Sequence, residues 1–211
     1  MSFRFLAIAG TGNRLHQWCH DYNSLFMQAM RAEGGEPITL PDGSLYSWSG
    51  KLQGLLWYGE NEWEMESYRV GDILERVPYE DRIVFAHSHG GQIIIKLTAR
   101  GFKIRTLTTI ATPYRPNLHP ERSAENIGFW QHVYDPEKDW IASLRHKIQQ
   151  HTGLGNIGGG GGLERRFIIP TAPNILNVGI PGVRHSGIFS PEHIHYFTDQ
   201  GVFARAHQLG S

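Results

Sequence analysis

A serine set between two histidines, His87-Ser88-His89, closes a short apolar run and is followed at once by Gly90-Gly91. A serine hydroxyl at neutral pH is a poor nucleophile. It becomes a good one where an imidazole can take its proton and a carboxylate can fix that imidazole's tautomer and stabilise its charged form. Arg82 to Ala86 reads as a strand, and Gln92 to Arg100, with Ile93, Ile94, Ile95 and Leu97 and no Pro or Gly, reads as a helix. A serine on the sharp turn between them has a strained backbone, a hydroxyl pushed out of the sheet, and the first helix amides pointing at whatever that hydroxyl attacks. Ala86 and Gly90 are small enough to let strand and helix approach closely beneath the turn. His87 and His89 flank Ser88 too tightly to act as its base; His87 is expected to point into the sheet, and His89 towards a pocket mouth where it could contact substrate. The competing interpretation is a polar turn that joins a strand to a helix and carries no nucleophile.

The pattern is G-x-S-x-G with Ala86 in the first glycine position, and it resembles the nucleophile elbow of the α/β-hydrolase superfamily. The Ala-x-Ser-x-Gly-Gly form is similar to that of small bacterial lipases and esterases. The resemblance implies a nucleophile, an acid and a histidine in that chain order, the latter two on loops at the carboxyl ends of later strands. For the acid it points to Asp139, because Val133-Tyr134-Asp135-Pro136-Glu137-Lys138-Asp139-Trp140-Ile141 resembles the family's strand, short turn, aspartate and apolar residue. Asp135 competes: it lies closer to the strand, although Pro136 gives it the look of a turn former. For the base, His185 follows a strand and a Pro-Gly loop, and His-Ser-Gly-Ile resembles the segment that carries the family's catalytic histidine. The same resemblance implies an oxyanion hole made by the backbone amide of His89 and that of Thr11 or Gly12, in the loop after the first strand.

These residues need elements to hold them. Met1 to Ala9 reads as a central strand ending in Gly10-Thr11-Gly12, which is not a dinucleotide fingerprint because Leu15 stands at its third glycine position. Leu15 to Ala32 has the apolar spacing of one helix. Pro41-Asp42-Gly43 signals a turn, Ser44 to Ser49 alternates as a strand would, and Leu52 to Tyr58 is apolar enough for packing, a pocket wall or a lid. Asn61 to Val77 reads as a helix capped by Asn61, and Ile104 to Ala111 and Phe129 to Tyr134 as strands. The polar stretch from Asn117 to Asn126 is expected to be a mobile crossover, and Trp140 to Gln150 has helical spacing. Residues 151–163 contain seven glycines and read as a flexible surface loop. Ile175 to Val178 is the last strand, with the His185 loop, a short helix from Pro191 to Thr198 and a tail after it.

The expected fold is therefore a single domain, 1–211: a compact α/β-hydrolase fold with a mainly parallel sheet, helices on both faces and no large cap domain. Lys and Arg together number 20, as do Asp and Glu, with no long basic block, which argues against a nucleic-acid partner. Cys19 is the only cysteine, so no intrachain disulfide staples the fold. The apolar run Phe5 to Ala9 is too short for a signal-peptide core or a membrane span, so no integral membrane segment and cytoplasmic residence are the default expectations. No cofactor and no metal are required: His16 and His20 read as surface histidines, and His193 and His195 lack an adjacent acid cluster. The expected activity is cleavage of a small-molecule or lipid carboxylic ester through an acyl-enzyme. An amide or thioester hydrolase, a catalytically silent binding protein on the same fold and a histidine-based metallohydrolase are the alternatives.

Overall fold

The computed structural model describes residues 2–10, 17–48, 59–112, 118–136, 172–182 and 184–208. Its strands are β1 (Phe3–Ile8), β2 (Gly35–Pro37), β3 (Ile83–His87), β4 (Ile104–Ile110), β5 (Ile127–Tyr134) and β6 (Ile175–Gly179). They form one six-stranded sheet in the order β2-β1-β3-β4-β5-β6, with every neighbouring pair parallel. The helices are α1 (Leu25–Ala32), α2 (Gly59–Glu75), α3 (His89–Ala99), α4 (Pro120–Ala124), α5 (Arg184–Gly187), α6 (His195–Asp199) and α7 (Val202–Gln208). This is an α/β architecture with helices on both faces of a parallel sheet.

A parallel strand covered on both faces has no polar side, and β3 is buried at every position from Ile83 to His87. Its alternate residues serve different layers. Val84 and Ala86 join Val70, Leu74, Ile93, Ile94 and Ala124 on the face covered by α2, α3 and α4. Ile83 and Phe85 join Phe26, Met30, Phe197 and Phe203 on the face covered by α1, α6 and α7. The chain leaves β1 towards β2 on one side and later places β3 on the other. The order therefore reverses between β1 and β3, and ligands of open α/β sheets bind at the carboxyl ends of the strands at such a point.

Several elements depart from the sequence expectations, each for a local reason. The expected helix over Leu15 to Ala32 is broken: Gln17–Cys19 make a 3-10 turn and α1 starts only at Leu25. The Asn23 amide donates to Asp21 Oδ1 at 2.8 Å and the Met27 amide to Ser24 Oγ at 3.2 Å, so a side-chain turn and a cap interrupt the helical ladder. Ser44 to Trp48 make only one bridge, Thr39 to Leu45, in place of a strand. The alternation there is real, because Tyr46 and Trp48 are both buried. Side chains do the anchoring: the Tyr46 hydroxyl donates to Glu66 at 2.7 Å and the Trp48 indole to the Ala9 carbonyl at 2.7 Å. Burial and the Glu66 carboxylate together push the Tyr46 phenol well above its ordinary pKa.

Helix α2 begins at Gly59, upstream of the expected cap Asn61; Glu62, its fourth residue, suits the positive end of the helix dipole. The supposed mobile crossover contains α4, which opens on Pro120 at its first position and is pinned by the Ser123 hydroxyl donating to the Ile95 carbonyl at 2.8 Å. The expected helix from Pro191 is turn up to Ile194, and only His195–Asp199 is helical. The tail is also structured: α7 comes after Gly201, whose φ of 62° a side chain would strain, and buries Val202, Phe203 and Ala206. The expected wall or packing segment 52–58, the expected helix 140–150 and the glycine-rich stretch 151–163 lie outside the described residues.

Candidate active site

Ser88 occupies the turn between β3 and α3. Its amide donates to the Ile110 carbonyl at 2.8 Å, one last bond to the neighbouring strand before the chain turns. Its backbone then sits at φ 51°, ψ −124°, a conformation unusual for a residue with a side chain. Helix α3 begins at the next residue, so the first free amides of the helix lie beside the hydroxyl.

Room for this turn depends on missing side chains. A Cβ on Gly10 would lie 2.6 Å from Ser88 Cβ. One on Gly90 would lie 2.5 Å from the Ala9 carbonyl oxygen, and one on Gly91 would overlap the Thr112 side chain. The end of β1, the turn and the first turn of α3 are thus packed at backbone contact.

Across from the hydroxyl stands His185, which is carried by α5 where the sequence predicts a loop. Its Nε2 lies 2.9 Å from Ser88 Oγ, so residues 97 positions apart in sequence meet at hydrogen-bonding distance. A hydroxyl, an imidazole within reach of its proton and a helix N-terminus that favours negative charge are the kinds of group that nucleophilic acyl transfer uses.

The remaining expected residues divide by location. Asp135 comes directly after β5 and is 5% exposed, at the same end of the sheet as Ser88. A carboxylate so buried needs a partner to offset its lost hydration. Asp139, Thr11 and Gly12 lie outside the described residues. The His89 amide stands at the first position of α3, as an oxyanion donor would. Its ring, expected at a pocket mouth, is instead buried against Trp63, with centroids 5.2 Å apart. His87 faces the α1, α6 and α7 side of the sheet, edge-on to Trp18 and Phe189, and also lies against His185.

Two contributors are invisible in the sequence. Gly10 reads there only as part of a turn, and its contact with Ser88 becomes apparent once β1 and β3 are known to pair. Trp48 fixes the Ala9 carbonyl just before Gly10, and no local pattern announces such a bond.

No protein-family model matches the chain, and no curated protein matches it. Among the described residues no three His, Cys, Asp or Glu side chains gather as a metal site, and no helix is long and apolar enough to cross a membrane. Cys19 is not a rival nucleophile: burial pushes its thiol pKa up and keeps the thiolate out of reach near neutral pH.

Proposed function

We infer that the chain is a serine hydrolase of the α/β-hydrolase type that cleaves carboxylic esters. The observation that carries this reading is the 2.9 Å approach of His185 Nε2 to Ser88 Oγ on a positive-φ turn that opens a helix. Ser88 Oγ attacks the ester carbonyl carbon while His185 takes its proton. The tetrahedral oxyanion is held by the amide of His89 and that of Thr11 or Gly12. His185 then gives its proton to the departing alkoxide, leaving an acyl group on Ser88. Water attacks that acyl carbon, His185 takes the water's proton, and the acid leaves as the proton returns to Ser88. An ester is favoured over an amide because an alkoxide leaves more readily than an amine. No metal or organic cofactor enters these steps.

Asp139 is the orienting acid on the spacing that resembles the family. The burial of Asp135 at the end of β5 supports a second assignment, in which Asp135 takes that role. The strand order adds support for the fold assignment, since it brings Ala9 and Gly10 at the end of β1 beside the serine turn after β3.

Hydrolysis of p-nitrophenyl esters from acetate to palmitate, with a chelator present, tests the reading. Turnover by wild type that disappears in Ser88→Ala and His185→Ala, and falls sharply in only one of Asp139→Asn and Asp135→Asn, is the expected result and names the acid. No turnover on any ester together with failure of a serine-directed phosphonate to label Ser88 would overturn it in favour of a binding protein. Phosphonate labelling without ester turnover would move the substrate to an amide or thioester.

A further inference from the structure

His87 precedes the proposed nucleophile in sequence, and in space it is bonded to the proposed base. Its Nε2 lies 2.9 Å from the backbone carbonyl oxygen of His185. A carbonyl oxygen can only accept, so Nε2 carries the proton and donates it. The bond spans 98 positions and ties the last residue of β3 to α5, a helix of only four residues. One helical turn has little stability of its own, so the place of α5 depends on such attachments.

The His87 ring is itself held firmly. It is 1% exposed, its centroid lies 5.3 Å from that of Phe189 and 6.4 Å from that of Trp18, and both rings meet it edge-on. A Cβ on Gly10 would come within 3.2 Å of its Nδ1. The strand that ends in Ser88 therefore also carries the group that grips the main chain of His185. Nucleophile and base are referenced to one rigid element.

We propose that His87 is a positioning residue that keeps His185 within hydrogen-bonding distance of Ser88 by donating to the His185 main-chain carbonyl. This role rests on the acyl-transfer reading of Ser88 and His185. Its loss frees α5 to drift, and a displacement of about 1 Å at a reacting group costs on the order of 100-fold in rate. Substrate binding does not depend on the bond, so the loss falls on kcat and leaves KM in place.

The test compares His87→Gln, His87→Asn and His87→Phe in the ester assay, with melting temperatures recorded for each. Glutamine can set an amide N–H where the imidazole Nε2–H stands, whereas the shorter asparagine cannot reach the carbonyl. The expected result is a fall in kcat of about 100-fold in His87→Asn and His87→Phe at unchanged KM, with most of kcat retained in His87→Gln. Equal losses in the Gln and Asn variants would show that the ring matters for packing alone and would overturn the proposal, as would wild-type kcat in His87→Asn. If His87→Phe does not fold, the Gln and Asn pair still decides. Absence of ester turnover and of phosphonate labelling in wild type would strike the hydrolase reading itself, and this role with it; an active wild type with an indifferent His87 would strike this role alone.

Discussion

At the carboxyl ends of β3 and β4 the chain makes the same uncommon move. Ser88 leaves β3 at φ 51° and Ala111 leaves β4 at φ 48°, one register step beyond the paired residues His87 and Ile110. Each first makes one more bond to the next strand, Ser88 to the Ile110 carbonyl and Ala111 to the Val133 carbonyl, both at 2.8 Å. Beyond that point the two strand ends diverge. Ser88 runs at once into α3, with Gly90 against the end of β1 and Gly91 against Thr112, and its hydroxyl meets His185. Ala111 presents a methyl group and is buried. Positive φ is thus how two adjacent strands of this sheet end, and strain alone does not mark a site. The partner brought to the strained residue makes the difference, and that partner comes from the far end of the chain.

The largest effect expected from this contrast is on turnover. Ser88→Ala and His185→Ala are each expected to lower kcat by at least about 10⁴-fold, because members of a nucleophile and base pair act as a unit. Ala111→Gly is expected to leave ester turnover near the wild-type rate. A double variant moves the hydroxyl. Ser88→Ala combined with Ala111→Ser puts a hydroxyl on the neighbouring positive-φ turn, one strand away from the residue that meets His185, and the double variant is expected to stay as inactive as Ser88→Ala. Recovered turnover would mean that the turn, and not the pairing with His185, confers reactivity.

An intermediate effect is expected at Gly10. A methyl there would lie 2.6 Å from Ser88 Cβ and 3.1 Å from the His87 carbonyl oxygen, both anchored groups that cannot yield cheaply. Overpacking of this kind costs about 1–3 kcal/mol. Gly10→Ala is therefore expected to destabilise the fold by that amount in denaturant unfolding and to lower turnover more than Gly43→Ala. Gly43 has positive φ, 80°, and nothing within 4 Å of its would-be Cβ. Equal turnover in the two variants would remove Gly10 from any role in shaping the serine turn.

How far the sequence foreshadowed this arrangement depends on whether the signal was local. The strand, serine and helix around Ser88 were legible because apolar runs, small residues and the absence of helix breakers occupy neighbouring positions. The helix nonetheless begins at His89, before the expected Gln92, since the two glycines that favour a turn are here the ones that allow close packing. His185 was legible as a residue after a strand, but its helix was not, because four residues carry too little periodicity to read. The break at Asp21 to Ser24 and the helix over Val202, Phe203 and Ala206 did carry signals, a cap in one case and a shared face in the other. The contact of Gly10 with Ser88 arises from strand pairing, and the bonds to the Ala9 and His185 carbonyls use main-chain acceptors that every residue possesses. No residue type announces those.

The smallest expected effect concerns stability and separates strain from function most cleanly. A positive-φ backbone costs a residue with a side chain about 1–2 kcal/mol. Glycine removes that cost but adds about 0.4–1 kcal/mol of unfolded-chain entropy. The difference leaves Ala111→Gly about 0.5 kcal/mol more stable than wild type, a rise in Tm of roughly 1–2 °C for a chain of this length. Ser88→Gly is also expected to gain stability while losing turnover, since φ 51°, ψ −124° lies outside the wells that a residue with a side chain prefers. Gains in stability at both positions with opposite outcomes in the ester assay would show that both strand ends carry strain and that only one of them puts it to use. If Ser88→Gly were less stable than wild type, the hydrogen bond to His185 would be holding α5 in place as well as activating the serine. Measuring Tm in Ser88→Ala, which also lacks the hydroxyl but retains a Cβ, would then separate the lost bond from the relieved backbone.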